Sequence, residues 1–306
     1  MNPVSHTEKR PQPLSIESLR RLFAVSCGFQ LGGSTVTITV QQLYGEIWGQ
    51  EEAAFAAELT ESLHPRPAEV LYELFAKTGL FAADTVLDAG CRDAVHAVEL
   101  VHRYGCSVIG VDIVPQHIAK AQQRVAEAGL EAQITLHTAG IEALPLGDGV
   151  VHHIWCRDML NHVDLRRGLA ECQRVLTTGG RMLVYQTFAT DRLEAQEAQR
   201  LYAALSIVST NMAPAYFEAT AAASGFVILE REPMDSEWRE YWLEQGKTWA
   251  VEDLLTLARL RRREQSLVER FGRVRYEATY ADALWGIYQM LGKLCPTVYL
   301  LEKGET

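Results

Sequence analysis

From about residue 84 onward, short apolar runs alternate with stretches of helical spacing. The β-like runs are TVLDA (85–89), SVIGVD (107–112), QITLHT (133–138), VVHHIWC (150–156), RMLVYQTF (181–188), FVILERE (226–232) and PTVYLLEK (296–303). Helical spacing fills 94–104, 115–129, 164–176 and 214–224. This alternation predicts an α/β fold, a mostly parallel sheet with helices on both faces. Right-handed crossovers then gather the loops at one end of the strands over a shared crevice. Local punctuation agrees. Pro115 opens the second helix and Gly129 closes it. Thr177-Thr178-Gly179-Gly180 closes the helix over 164–176, and Ser224-Gly225 the helix over 214–224.

Two regions break the alternation. Residues 15–82 read as a mainly helical N-terminal lid, interrupted by Gly32-Gly33 and by TVTITV (35–40). TVTITV is either a short strand, open to pairing between subunits of a homodimer, or the opening of a helix. Residues 237–292 read as a helical cap inserted between the last two strands, and both regions are expected to close over the crevice. A disordered lead-in over 1–14 leaves 83–236 and 293–306 as the core.

Composition narrows the class. The 306 residues are 48% hydrophobic and 22% charged, ordinary for a globular chain. The net charge of −10 argues against broad nucleic-acid or anionic-membrane binding, which needs clustered Lys and Arg. No apolar run reaches the roughly 20 residues of a spanning helix, and the N-terminus has no apolar signal core. Cys27, Cys91, Cys106, Cys156, Cys172 and Cys295 are scattered without a C-x-x-C pair. They read as reduced thiols of a cytoplasmic protein, with no metal site.

The chemistry starts at VLDAGCRDA (86–94). A nicotinamide-binding loop reads G-x-G-x-x-G, so that a pyrophosphate can approach the helix N-terminus. Here Gly90 is followed by Arg92, which would crowd a pyrophosphate, and Asp88 would repel it. The Asp88 carboxylate suits an ammonium group instead. A second acid, Asp112, ends the next strand, where a carboxylate accepts hydrogen bonds from two ribose hydroxyls. The pair points to a nucleoside ligand with an amino group and no phosphate, as in S-adenosylmethionine (SAM). The alternative is that both acids only cap helices.

VLDAGCRDA, VIGVDIVPQHIAKAQQR, IEALPLGDGVVHHIWCRDMLNHVD and RVLTTGGRMLVYQTF, in that order, resemble the class I SAM-dependent methyltransferases of the ubiquinone/menaquinone-biosynthesis type. The likeness covers about 84–188 well and 214–232 loosely. It implies a Rossmann-like seven-stranded sheet with the last strand antiparallel. It also implies roles: Asp88 and Gly90 frame the methionine end of SAM, Asp112 holds the ribose, and Ile113 packs on the adenine. Gly140, Ile141 and Glu142 lie along the adenine edge, and Cys156 offers a backbone carbonyl to the amino group. Tyr44, in LYGEIWG, resembles a tyrosine that closes over the SAM carboxylate. Arg92 and Ala94 stand where the family has glycines, and Gly140 where it often has Asp. Arg92 either binds the SAM carboxylate or swings outward.

The implied function is transfer of a methyl group from SAM to an N, O or C atom of a small organic acceptor, with S-adenosylhomocysteine as product. The alternative is a SAM-binding protein of the same fold that catalyses a non-methylating reaction such as a cyclisation. In-line displacement needs alignment, exclusion of water and, for some acceptors, a base. His162 in DMLNHVD is the candidate base, with a capping or packing role as the alternative. His152 and His153 alternate along a strand and read as structural, while His96 and His102 read as packing or surface residues. The acceptor pocket is expected among Tyr185, Asn211, Tyr216, Trp238, Tyr241 and Tyr288, or these aromatics form the cap's own core. The arginine-rich run 259–275 binds an anion or is a solvated face paired with its own Glu264 and Glu269.

Overall fold

A computed structural model describes residues 37–48 and 53–304. The chain divides into two units, Met1–Glu61 and Ser62–Thr306. In the first, Gln42–Ile47 form a π-helical turn and Ala53–Thr60 (α1) an α-helix. Residues 37–39 have no regular structure and Val40 is already helical. The described part of TVTITV therefore opens a helix and makes no edge strand. The Thr39 hydroxyl accepts the Gln42 N–H at 3.2 Å, which favours the helical start. Thr35, Val36, Gly32-Gly33 and the lead-in 1–14 lie outside the described residues.

The second unit holds a seven-stranded sheet of order β3-β2-β1-β4-β5-β7-β6. The strands are β1 (Thr85–Ala89), β2 (Ser107–Asp112), β3 (Ile134–Thr138), β4 (Val151–Arg157), β5 (Leu176–Ala189), β6 (Phe226–Pro233) and β7 (Leu294–Lys303). β1 to β5 pair in parallel, and β7 enters antiparallel between β5 and β6. Alternation along each strand divides the core into two layers. Val86, Trp155, Leu183 and Tyr185 face one side, and Leu87, Ile154, Cys156 and Val184 face the other.

The first face is covered by α2 (Val70–Ala76), α3 (Val95–Tyr104) and α4 (Pro115–Ala128). The second is covered by α5 (Leu165–Val175) and, past α6 (Ala195–Leu205), by α7 (Pro214–Ala223). Sequence signals explain their ends. Pro115 sits in the first turn of α4, and Gly129 closes it at φ +67°. The Asp164 side chain caps α5 by accepting the Arg166 and Arg167 N–H groups.

Two expectations change. The segment 62–82, read as part of a lid, belongs to the core unit. The reason is the apolar face of VLYELFA, which buries Leu71 and Phe75, while Arg66 pairs with Glu237 at 2.7 Å. Thr177-Thr178-Gly179-Gly180 does not close a helix: α5 ends at Val175, and Leu176 already pairs with Val151 in the sheet. Gly180 is required there, because a Cβ would lie 2.9 Å from the Thr177 carbonyl oxygen and 3.0 Å from that of His152.

Between β6 and β7 lie α8 (Glu237–Glu244), α9 (Trp249–Arg262), α10 (Glu264–Phe271) and α11 (Arg273–Met290). Helix α11 packs on α6, with Ala281 and Tyr288 against Leu201 and Met212. In the arginine-rich run, Arg273 pairs with Glu264 at 2.6 Å on an exposed surface, the solvated-face reading. No helix among the described residues is long and apolar enough to cross a membrane.

Candidate active site

Parallel pairing brings the C-terminal ends of β1, β2, β3 and β4 side by side. Asp88 is opposite Gly110 and Trp155, Ala89 opposite Cys156, and Asp112 opposite Thr138. Asp88 is 2% exposed, and its Oδ2 has no hydrogen-bond partner. Burial pushes its carboxyl up to about 7; the Ala97 N–H pulls it down and the Asp112 charge adds to the rise. A buried acceptor left unpaired costs roughly 1–3 kcal/mol, so this oxygen is built for a donor the protein does not itself supply.

Asp112 is held in place. Its Oδ1 accepts the Val114 N–H at 2.8 Å and meets His117 Nδ1 at 3.2 Å, and its Oδ2 accepts the Arg92 N–H at 3.0 Å. The loop between the acids is left-handed at Gly90 (φ +79°), Arg92 (φ +49°) and Ala94 (φ +61°). The two substituted positions thus keep the backbone of a glycine loop although they carry side chains. That conformation costs a non-glycine residue about 1–2 kcal/mol. Arg92→Gly is therefore expected to stabilise the ligand-free protein by about 0.5 kcal/mol, the strain relieved less the added freedom of the unfolded chain. Urea denaturation measures it, and a destabilisation above about 0.5 kcal/mol would count against strain at Arg92. The Arg92 side chain is exposed. At Gly90 a Cβ would come within 3.1 Å of Met159, so a side chain there would crowd Met159 as well as strain the backbone.

Ile113 is 69% exposed directly after Asp112, an apolar platform unusual at a strand end. A Cβ on Gly140 would lie 3.5 Å from Ile113 Cδ1, so the two pack side by side at the surface beyond the β2 end. Ile141 does not join them: it is 1% exposed, in the core layer with Leu160 and Leu169. Glu142 accepts the Asp164 N–H at 2.6 Å, a structural tie. The Cys156 side chain is buried in the second layer, and burial pushes its thiol well up, which leaves only its backbone for a ligand. Tyr44 lies in the first unit, exposed, with its ring edge-on to Trp48 at 5.0 Å.

The residues fit SAM. Asp88 has a free oxygen for an ammonium group, Asp112 has fixed acceptors for hydroxyls, and Ile113 offers an exposed apolar face for a flat base beside Gly140. Comparisons agree: residues 86–180 match the family described as a methyltransferase domain. These residues form a class I, SAM-dependent methyltransferase domain. The chain is 29% identical over 160 residues to the sarcosine/dimethylglycine N-methyltransferase of Halorhodospira halochloris, covering 50% of this chain and 55% of that one. It is 26% identical over 155 residues to the methyltransferase GfsG of Streptomyces halstedii, covering 46% and 56%. The chain thus spans about half the length of the curated relatives it matches. Among solved structures, the cyclase SpnF superposes with a TM-score of 0.61, at 20% identity, over 80% of this chain and 86% of that one.

Beyond the C-terminal end of β4, His162 ends the short 3-10 turn Leu160–His162 and is exposed. Its Nδ1 lies 3.2 Å from the Ser206 carbonyl oxygen, which can only accept. A proton therefore sits on Nδ1, which leaves Nε2 as the nitrogen that carries the lone pair in the neutral ring. Tyr185 and Trp238 come together as a stack at 4.4 Å. Tyr241 is half-buried on α8. Three other expected pocket residues are used structurally. Asn211 donates to the Leu160 and Val163 carbonyls at 2.8 and 2.9 Å. Tyr216 packs against the second core layer, and Tyr288 lies in the α6–α11 cluster with its hydroxyl on Glu197. His153 is 6% exposed and meets Asp84 at 3.3 Å, and His152 accepts the Thr85 N–H, so both are structural.

Sequence reasoning missed Arg157 and Asp158, the residues just after Cys156. Asp158 is left-handed at φ +51°, and its carboxylate accepts the Thr187 N–H at 3.1 Å. Arg157 lies over the Tyr185 and Trp238 rings, 5.6 and 5.3 Å from their centroids. The available signal was the pair of opposite charges at the C-terminal end of a central strand.

Proposed function

We propose that the chain transfers the methyl group of SAM to an N, O or C atom of a small organic acceptor. The observation that carries this reading is the pair of acids at the ends of β1 and β2, one with a buried unpaired oxygen and one with its oxygens fixed by backbone N–H groups. SAM supplies an electrophilic methyl carbon on a sulfonium. Asp88 takes the ligand's ammonium group, Asp112 its ribose hydroxyls, and Ile113 with Gly140 the adenine. The loop from Gly90 to Ala94 holds the two acids in register. His162, with its Nε2 lone pair, removes a proton from acceptors that must lose one. The Tyr185–Trp238 stack and the cap helices exclude water from the acceptor, which favours displacement over side reactions. Four buried thiols, Cys91, Cys106, Cys156 and Cys172, suit a reducing, cytoplasmic setting.

A thermal-shift titration with SAM, S-adenosylhomocysteine and NAD tests the reading. A ligand at about 100 times its Kd adds roughly 2.7 kcal/mol. For a domain of this size that raises Tm by roughly 5–10 °C. SAM and S-adenosylhomocysteine are expected to give this shift and NAD none. Transfer of a labelled methyl group to product then separates methyl transfer from a non-methylating reaction. A shift with NAD alone overturns the proposal.

A further inference from the structure

A cavity of about 320 Å³ lies between α2 and the start of α3, lined by Tyr72, His96, Glu99, Arg103, Trp155 and Arg157, among others. Its polar groups form a chain. Arg157 Nη1 lies 2.8 Å from His96 Nε2, and His96 Nδ1 lies 2.7 Å from the Tyr72 hydroxyl. A guanidinium only donates, so Nε2 must hold the lone pair. The His96 proton then sits on Nδ1 and is donated to the Tyr72 oxygen. That leaves the Tyr72 hydroxyl proton free to donate elsewhere.

The region therefore ends in donors. Arg157 keeps further N–H groups and pairs with no carboxylate among the described residues. Trp155 is fully buried and its indole N–H has no partner; the same holds for the N–H of Trp238, whose ring Arg157 covers. Of the cavity's two glutamates, Glu99 is paired with Arg103 at 2.5 Å and Glu69 is exposed to solvent. A half-buried cation with spare N–H groups, beside the free proton of the Tyr72 hydroxyl, is complementary to an acceptor-only group.

We propose that Arg157, braced by His96 and accompanied by the Tyr72 hydroxyl, anchors a carboxylate of the methyl acceptor, so that the substrate is an organic acid. This rests on the methyltransferase reading. Three features favour the acceptor as the source. Arg157 sits at the end of β4 beside Tyr185 and the cap residue Trp238, away from the β2 and β3 ends that would hold the nucleoside. Leu71, Val95 and Trp155 line the same cavity and give the body of an organic acid an apolar wall. Burial and the Arg157 charge push His96 down to about 4, so it stays neutral and its tautomer is stable near pH 7.

The test uses the full chain and calorimetric binding of three acids, benzoate, phenylacetate and hexanoate, against their amides, with and without saturating S-adenosylhomocysteine. At least one acid is expected to bind tenfold or more tightly than its amide. Arg157→Gln is expected to abolish that preference, and Tyr72→Phe to reduce it several-fold, with S-adenosylhomocysteine affinity unchanged in both. The inference is overturned if no acid exceeds its amide, or if the preference survives Arg157→Gln. It is also overturned if Arg157→Gln instead costs tenfold in S-adenosylhomocysteine affinity, because the anchored carboxylate is then the cofactor's own. Should Arg157→Gln not fold, Tyr72→Phe decides, since it removes the free hydroxyl proton together with the oxygen that braces His96; an unchanged preference overturns the inference. Failure of wild-type protein to bind S-adenosylhomocysteine sinks the methyltransferase reading, while the acid–amide comparison still decides this one.

Discussion

Asp88→Asn is expected to weaken S-adenosylhomocysteine binding by about 2–4 kcal/mol, roughly 30- to 700-fold at pH 8. The carboxylate is buried with one oxygen unpaired, so the ligand's ammonium group would be its main compensating charge. The pH dependence follows from the same burial. In the ligand-free protein the carboxyl is pushed up to about 7. Below that pH the ligand must expel a proton to gain an ionised partner, so affinity falls about tenfold per pH unit and levels off above 7. For stability the sign is opposite. A folded-state value raised above the unfolded 3.8 gives a contribution fully present below pH 3.8 and lost as pH rises through about 7. Asp88→Asn, which stays neutral, is therefore expected to raise the Tm of the ligand-free protein at pH 8 while abolishing the pH dependence of binding. Calorimetric titration from pH 5.5 to pH 8.5 measures both, where these pH values are roughly one to two units either side of the titration. Equal affinity in the two proteins at pH 8 would remove Asp88 from the site.

Trp155→Ala is expected to destabilise the fold by about 3–5 kcal/mol. Trp155 is fully buried at the centre of the first core layer. Its ring stacks on Tyr72 at 4.9 Å and meets Phe75 edge-on at 5.3 Å and His96 at 5.4 Å. Aromatic contacts of this kind add about 0.5–1.5 kcal/mol each to the area they bury. The same side chain is a wall of the cavity, so the substitution also frees His96 and Tyr72 from their ring contacts. Trp155→Phe keeps part of the packing and is expected to cost about half as much. Urea midpoints at constant slope measure both. A loss below about 1 kcal/mol for Trp155→Ala would mean that the layer closes around the gap.

Most of the fold was legible along the chain. Each strand begins and ends within a few residues of its β-like run, apart from β5, which starts at Leu176, ahead of TTGG, and not at Arg181. Glycines there read as a helix stop, but tertiary contact with the His152 carbonyl makes Gly180 part of a strand. The placement of the two acids side by side was also legible, because the acids and the loop lie close together in sequence and the strand order sets β1 beside β2. Asn211 and Tyr288, expected at the acceptor pocket, make internal contacts instead, because composition does not reveal which way a side chain turns.

By itself, then, the sequence determined the α/β alternation, the two acids and the class of ligand they suit. These depend on periodicity and on residues joined by one short loop. Only the tertiary structure decided that 62–82 belongs to the core unit, that Arg92 and Ala94 keep a glycine loop's backbone, and that Tyr72, His96 and Arg157 meet. Those facts depend on contacts between elements far apart in the chain, where a helix face, a strand end and a buried ring settle one another's positions. The physical reason is that pairing of donors and acceptors is fixed by packing geometry, which local pattern constrains only through the elements it forms.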